Sequence, residues 1–143
     1  MRIVGTLIVS ILLYSASSGM ADACSRVVYL GPGDTVITAR SMDWKESIQS
    51  NIWVFPRGME RTSKSGPNSM RWTSKYGSVI TSGYEVATTD GMNEEGLVTS
   101  LLWLAESEYP PTTGDKKTLA VSLWAQYVLD NFATVSEAVE VLE

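Results

Sequence analysis

The sequence contains no histidine and a single cysteine. The first absence removes the Ser-His-Asp triad, the Cys-His pair and any histidine-ligated zinc or haem centre built from this chain alone. The second excludes an internal disulfide framework, iron–sulfur clusters and cysteine-rich zinc sites. Positive charge is also scarce: 11 Lys and Arg stand against 16 Asp and Glu, a formal balance of −5. With no basic run to neutralise phosphates, a nucleic-acid-binding role is excluded. What is present, 44% hydrophobic and 19% charged residues, describes a folded globular chain and not a disordered one.

The first stretch does not belong to the fold. Met1-Arg2 is a short positive start, Ile3 to Ala16 is almost wholly apolar, and the small-residue segment that follows ends in Ala21-Asp22-Ala23. This is the pattern of a secretory signal peptide with an A-x-A cleavage site. The apolar run is short for a bilayer span, and Ser17-Ser18-Gly19 interrupts it, so an uncleaved membrane anchor is the weaker alternative. The expected location is exported, either periplasmic or extracellular. Removing the first 23 of 143 residues leaves 120, enough for one domain, and the charge stays at −5.

Cleavage after Ala23 makes the lone cysteine, Cys24, the first residue of the mature chain. Its thiol then has a free α-amine as neighbour. An amine with an ordinary pKa of about 7.7–8 is a usable general base beside a thiol of about 8.5. Nucleophile and base then share one residue, and histidine is not needed. Two alternative roles compete with this one. Cys24 could anchor a lipid, although Ala21, Asp22 and Ala23 match a lipoprotein signal poorly. It could also be an ordinary buried apolar side chain, should cleavage fall elsewhere.

After the cysteine the pattern is β-rich first and helical last. Ser25 to Leu30 and Thr35 to Ala39 flank the turn cluster Gly31-Pro32-Gly33-Asp34 and predict a hairpin. Its second arm carries Arg40 and Asp43 back toward Cys24. Asn51 to Phe55, Arg71 to Tyr76, Ser78 to Ser82, Glu85 to Thr89 and Leu97 to Leu104 are further expected strands. Arg57 to Asn68 has the composition of an exposed loop, Asp90 to Gly96 that of a tight connection, and Pro110 to Asp115 that of a second loop. Leu119 to Phe132 spaces Leu119, Leu123, Tyr127 and Val128 as a helix, with Trp124 and Leu129 widening the stripe. Thr134-Val135-Ser136-Glu137 is a capping box that opens another. No Gly or Pro follows Val141-Leu142, so the apolar period runs on to Glu143 and a C-terminally truncated domain is expected.

Several segments in this order carry a resemblance: Cys24 after the leader, Thr38 to Trp44, Trp53 to Gly58, Thr73 to Val79, and Asp90-Gly91-Met92-Asn93-Glu94-Glu95-Gly96-Leu97. Together they resemble the choloylglycine hydrolase family, which contains the penicillin V acylases and the conjugated bile salt hydrolases. The resemblance implies an α+β fold, here residues 24–143 as the N-terminal part of a four-layer αββα N-terminal-nucleophile hydrolase that cleaves linear amides. It makes Cys24 the nucleophile, Arg40 the arginine near its thiol and Asp43 the aspartate that holds the terminal amine. A guanidinium beside sulfur favours the thiolate, and a carboxylate orients the amine. Without that role, Arg40 and Asp43 would be a surface ion pair of little consequence.

Counting from the Asp90 segment, Trp103 stands where bile salt hydrolases carry an oxyanion-binding asparagine. Its backbone N–H remains a donor, but an indole, which donates and does not accept, cannot copy both functions of an amide side chain. Trp44 and Trp103 would suit a flat, apolar acyl group. Phenoxyacetyl amides and N-acyl homoserine lactones are therefore expected ahead of steroid conjugates. Trp53, Trp72 and Trp124 are expected in the core, and Asn93 as a turn residue. The expected partner is a small-molecule amide with an apolar or aromatic acyl group, with no cofactor, metal, nucleic acid or stable membrane span, and homo-oligomer formation at full length is left open. A conjugated bile salt hydrolase, or an exported or lipid-anchored binding module without activity, are the alternatives.

Overall fold

The computed structural model describes residues 24–104, 106–109, 111 and 114–142; the expected leader at 1–23 lies outside them. Strands β1 (Arg26–Leu30) and β2 (Val36–Arg40) form the expected hairpin, with Arg26 opposite Arg40 and Leu30 opposite Val36. Gly33 and Asp34 take the left-handed backbone (φ 64° and 60°) that reverses the chain, a conformation open to glycine and tolerated by aspartate. Both faces of this hairpin leave apolar side chains in solvent, among them Val27, Leu30 and Val36.

A four-stranded antiparallel sheet is the centre of the fold. Its order is β3 (Ile52–Phe55), β6 (Ser78–Gly83), β7 (Ala87–Asn93) and β8 (Val98–Ser100). A separate pair, β4 (Glu60–Thr62) and β5 (Arg71–Thr73), lies beside it. Three expectations are corrected here. Arg57 to Asn68 is not wholly an exposed loop, because Glu60–Thr62 pairs with β5 and Ser63 is buried between the Met70 amide and the Thr118 carbonyl. Asp90 to Asn93 is strand and not connection, paired with β6 on one side and β8 on the other. The turn itself is only Glu94–Gly96, where Gly96 has φ 84°. Finally, β5, β7 and β8 are displaced or shortened against the segments expected: Tyr84 and Glu85 adopt left-handed φ in the β6–β7 turn, and β8 ends at Ser100.

Helix α1 (Val121–Asn131) packs across one face of the sheet, followed by α2 (Val135–Leu142). Gly91 makes the close approach of α1 feasible: a Cβ there would meet Ile80 and Leu129 at 2.7 Å. Leu97, Val128, Phe132 and Ala138 cluster at this junction, with Tyr127 packed against them. The capping box opens α2 as expected, with the Glu137 amide donating to Thr134 Oγ1 at 3.2 Å. Glu137 itself accepts from the amide of Ala133, one residue ahead of the threonine.

The tryptophans divide differently from expectation. Trp72 is half-buried, stacked edge-on to Tyr127 and hydrogen-bonded to Asp130. Trp53 and Trp124 are 45% and 38% exposed, so neither is a core residue. A place inside a strand or helix does not by itself ensure burial. On the sheet face opposite α1, Ile52, Val54, Val79 and Met92 are likewise open. One helical layer on one sheet with its other face open is the N-terminal portion of the αββα sandwich that the resemblance implied.

Candidate active site

The hairpin does what its spacing predicts: it returns Arg40 to Cys24. Because Arg26 opposes Arg40 in the register, the end of β2 lies beside the start of β1. Arg40 Nη2 comes to 3.8 Å from Cys24 Sγ. The guanidinium is almost fully enclosed, with 8% of the side chain exposed. Its Nη1 donates to the Leu101 carbonyl at 2.7 Å and lies 3.1 Å from Asp90 Oδ2, while Nε donates to the Ser41 carbonyl at 3.2 Å.

Asp43 is placed differently. It is exposed, and it reaches the residue after the cysteine through Ser41. Ser41 Oγ donates to Asp43 Oδ2 at 2.7 Å and accepts the backbone N–H of Ser25 at 3.1 Å. The Ser41 amide also donates to the Ser25 carbonyl at 2.9 Å, which ties the post-β2 segment to the N-terminal side of β1.

Beside Cys24 opens a cavity of roughly 200 Å³, lined by Met42, Trp44, Tyr84, Leu101, Trp103 and Tyr109 among others. Its wall is mostly aromatic and aliphatic, which suits an apolar group. Trp44 and Trp103 meet edge to face, ring centres 5.5 Å apart and planes at 71°. Trp44 Nε1 donates to Tyr84 Oη at 3.0 Å, which fixes the indole's orientation. A larger groove of about 360 Å³ runs between β8 and α2, lined by residues such as Trp124, Val128 and Val139. It contains neither the thiol nor any carboxylate, whereas the smaller cavity includes Cys24. Among the described residues no group of three His, Cys, Asp or Glu side chains is arranged to hold a metal ion.

Two members of this constellation were not visible in the sequence. Tyr84 sits in a turn whose composition carries no signal. Asp90 lies on β7, and recognising Ala87–Asn93 as strand would have set it apart as the one acidic residue there. Its carboxyl is held above the usual range, first because burial penalises the charge; a hydrogen bond from Ser100 and the charges of Arg40 and Arg26 oppose that shift.

The profile of linear amide C–N hydrolases of the choloylglycine hydrolase family matches residues 24–143. A penicillin V acylase from Pectobacterium atrosepticum is 51% identical over 143 residues, an alignment that covers 94% of this chain and 38% of that protein. The solved structure of a penicillin V acylase from Agrobacterium tumefaciens superposes with a TM-score of 0.79 at 64% identity, covering 82% of this chain and 37% of the other. A mutant conjugated bile acid hydrolase from Clostridium perfringens gives 0.70 at 26% identity, over 85% and 37% of the two chains. The chain thus spans under two fifths of the length of each of these relatives.

Proposed function

The chain belongs to the linear amide C–N hydrolases of the choloylglycine hydrolase family, and on that premise we propose that it provides the nucleophile and part of the acyl-binding wall of a cysteine amidase of the penicillin V acylase type. The observation that carries this is the guanidinium of Arg40 at 3.8 Å from Cys24 Sγ, at the edge of a cavity walled by Trp44 and Trp103. A buried cation next to sulfur stabilises the anionic nucleophile, and the adjoining apolar wall holds an acyl group. The reading takes Cys24 as the mature terminus, exposed by export and removal of residues 1–23, and the Ala21-Asp22-Ala23 cleavage pattern is what supports it.

In the proposed reaction Sγ bonds to the amide carbonyl carbon while the α-amine of Cys24 takes the thiol proton. The tetrahedral intermediate collapses with cleavage of the C–N bond, and the proton passes to the departing nitrogen. Water then attacks the thioester, releasing the acid and restoring the thiol. Asp43, linked through Ser41 to the backbone beside Cys24, holds the terminal amine in this scheme. The backbone N–H of Trp103 is the donor offered to the oxyanion.

The substrate proposed is an amide with a flat apolar acyl group, phenoxyacetyl amides first and N-acyl homoserine lactones beside them. The edge-to-face indole pair favours these over a steroid conjugate. The test assays the complete protein against penicillin V, glycocholate and a long-chain acyl homoserine lactone, with intact mass and N-terminal sequencing of the exported product. Expected are a free amine on Cys24, penicillin V hydrolysis, and loss of all turnover in Cys24→Ala with the fold intact. A diacylglyceryl mass on Cys24, or wild-type turnover in Cys24→Ala, would falsify the scheme.

A further inference from the structure

Resting on that role for Arg40, we propose that Asp90 is a positioning residue for the nucleophile, holding the guanidinium so that one terminal nitrogen engages the sheet and the other faces Cys24. A guanidinium is planar, and its donors point in fixed directions. Fixing Nη1 and Nε therefore fixes where Nη2 points. Nε is held by the Ser41 carbonyl on its own strand's extension, which by itself leaves the plane free to rotate. The sheet supplies the remaining restraint: Leu101 O accepts from Nη1 at 2.7 Å, and Asp90 Oδ2 lies 3.1 Å from the same atom. Nη2 is then left with Cys24 Sγ at 3.8 Å and the Met42 sulfur.

A carbonyl alone would satisfy the donor, so the carboxylate needs a further reason. Arg40 is enclosed by the fold and arrives from a hairpin that pairs with no strand of the four-stranded sheet. A charge opposite it draws the hairpin end onto β7 and offsets part of the desolvation of the guanidinium. The charged groups facing Asp90 are Arg40 from β2 and Arg26 from β1, and Ser100 of β8 stands opposite it in the register. Asp90 thus couples the hairpin that carries the nucleophile to the sheet that carries the cavity wall.

Cys24 is the one cysteine within residues 1–143, and iodoacetamide labelling quantified on the Cys24 peptide by mass spectrometry reports on that thiol alone. The measurement is the alkylation rate as a function of pH for wild type, Arg40→Ala, Asp90→Asn, Asp90→Ala and the Arg40→Ala/Asp90→Asn pair. Asp90→Asn, which preserves shape, is expected to slow alkylation at pH 7 by about three- to tenfold and to move the profile to higher pH, as loss of a close cation does. On the Arg40→Ala background the same change is expected to add nothing, because Asp90 acts through that guanidinium. Slowing by Arg40→Ala but not by a natively folded Asp90→Asn overturns the role of Asp90 and leaves that of Arg40 standing. Faster alkylation in Asp90→Asn also overturns it, since the carboxylate would then have been only a competing charge. An unchanged rate in Arg40→Ala overturns both.

Discussion

The side-chain amide of Asn93 donates to the carbonyl of Phe132 at 2.7 Å, joining the last residue of β7 to the end of helix α1. The same nitrogen donates to Leu129 O at 2.9 Å, and Oδ1 accepts from the amides of Glu95 and Leu97. One buried side chain therefore satisfies two orphan carbonyls of a helix terminus and shapes the turn into β8. Asn93→Ala is expected to destabilise the protein by about 2–4 kcal/mol, the cost of leaving such groups unpaired. Urea denaturation checks this. Cys24 alkylation in the folded variant should match wild type, since Asn93 serves the turn and the helix end and not the thiol.

Asn93 also illustrates how far residue patterns reach. The Glu94–Gly96 turn was legible because Asn, Glu and Gly cluster locally there, as was the β1–β2 hairpin from its own turn residues, but Asn93 itself, expected as a turn residue, is the last residue of strand β7. The approach of Arg40 to Cys24 followed from hairpin register, which is also local. What was not legible depends on layers that meet across long sequence separation. Glu60–Thr62 has no strand signal of its own and is strand because Arg71–Thr73 pairs with it. Helix α1 buries the polar Gln126 and Asp130 as deeply as Ala125 and Leu129, while Leu123 and Trp124 of the expected stripe are not buried. Those polar side chains are buried because Thr88, Ser78 and Trp72 supply their partners and Arg61 lies 2.8 Å from Asp130. An apolar-periodicity argument counts such residues on the wrong face.

Glu94 and Arg57 form a forked surface pair, Nε to Oε1 at 2.5 Å and Nη2 to Oε2 at 2.6 Å. The hydrogen bond from Arg57, and then the Gly77 amide, hold the Glu94 carboxyl below its ordinary value of 4.5. A carboxyl lowered by folding stabilises the protein above its unfolded value and loses that contribution as pH falls through the folded one. Thermal melts of wild type and Glu94→Gln should therefore differ at neutral pH and converge in acid, below about 4.5. The difference should be small and shrink in high salt, as expected for an exposed pair. A gap that widened in acid would contradict this sign.

The contact of Trp44 with Trp103 allows a substrate test at the proposed acyl wall. An edge-to-face aromatic contact is worth about 0.5–1.5 kcal/mol beyond burial, so Trp103→Leu should reduce kcat/KM for a phenoxyacetyl amide by about two- to tenfold. A long straight acyl chain, which needs area but no ring geometry, should suffer less. Tyr84→Phe removes the acceptor for Trp44 Nε1 and should act in the same direction on the aromatic substrate alone. Competition kinetics between the two substrates measure the ratio directly, and equal losses on both would remove ring geometry from the account of specificity.

In the proposed scheme, proton management depends on the nitrogen of residue 24 being an amine, because that amine is the base placed beside the thiol. A single extra residue retained ahead of Cys24 turns that nitrogen into an amide, which has no basicity near neutral pH, and displaces the group that Asp43 is proposed to hold. Amide hydrolysis should then fall nearly as far as in Cys24→Ala. The thiol and Arg40 both remain, so alkylation of Cys24 should persist. Loss of turnover with retention of thiol labelling separates the base from the nucleophile. Full turnover in the extended form would show that the proton is handled elsewhere, and the one-residue pairing of nucleophile and base would have to be abandoned.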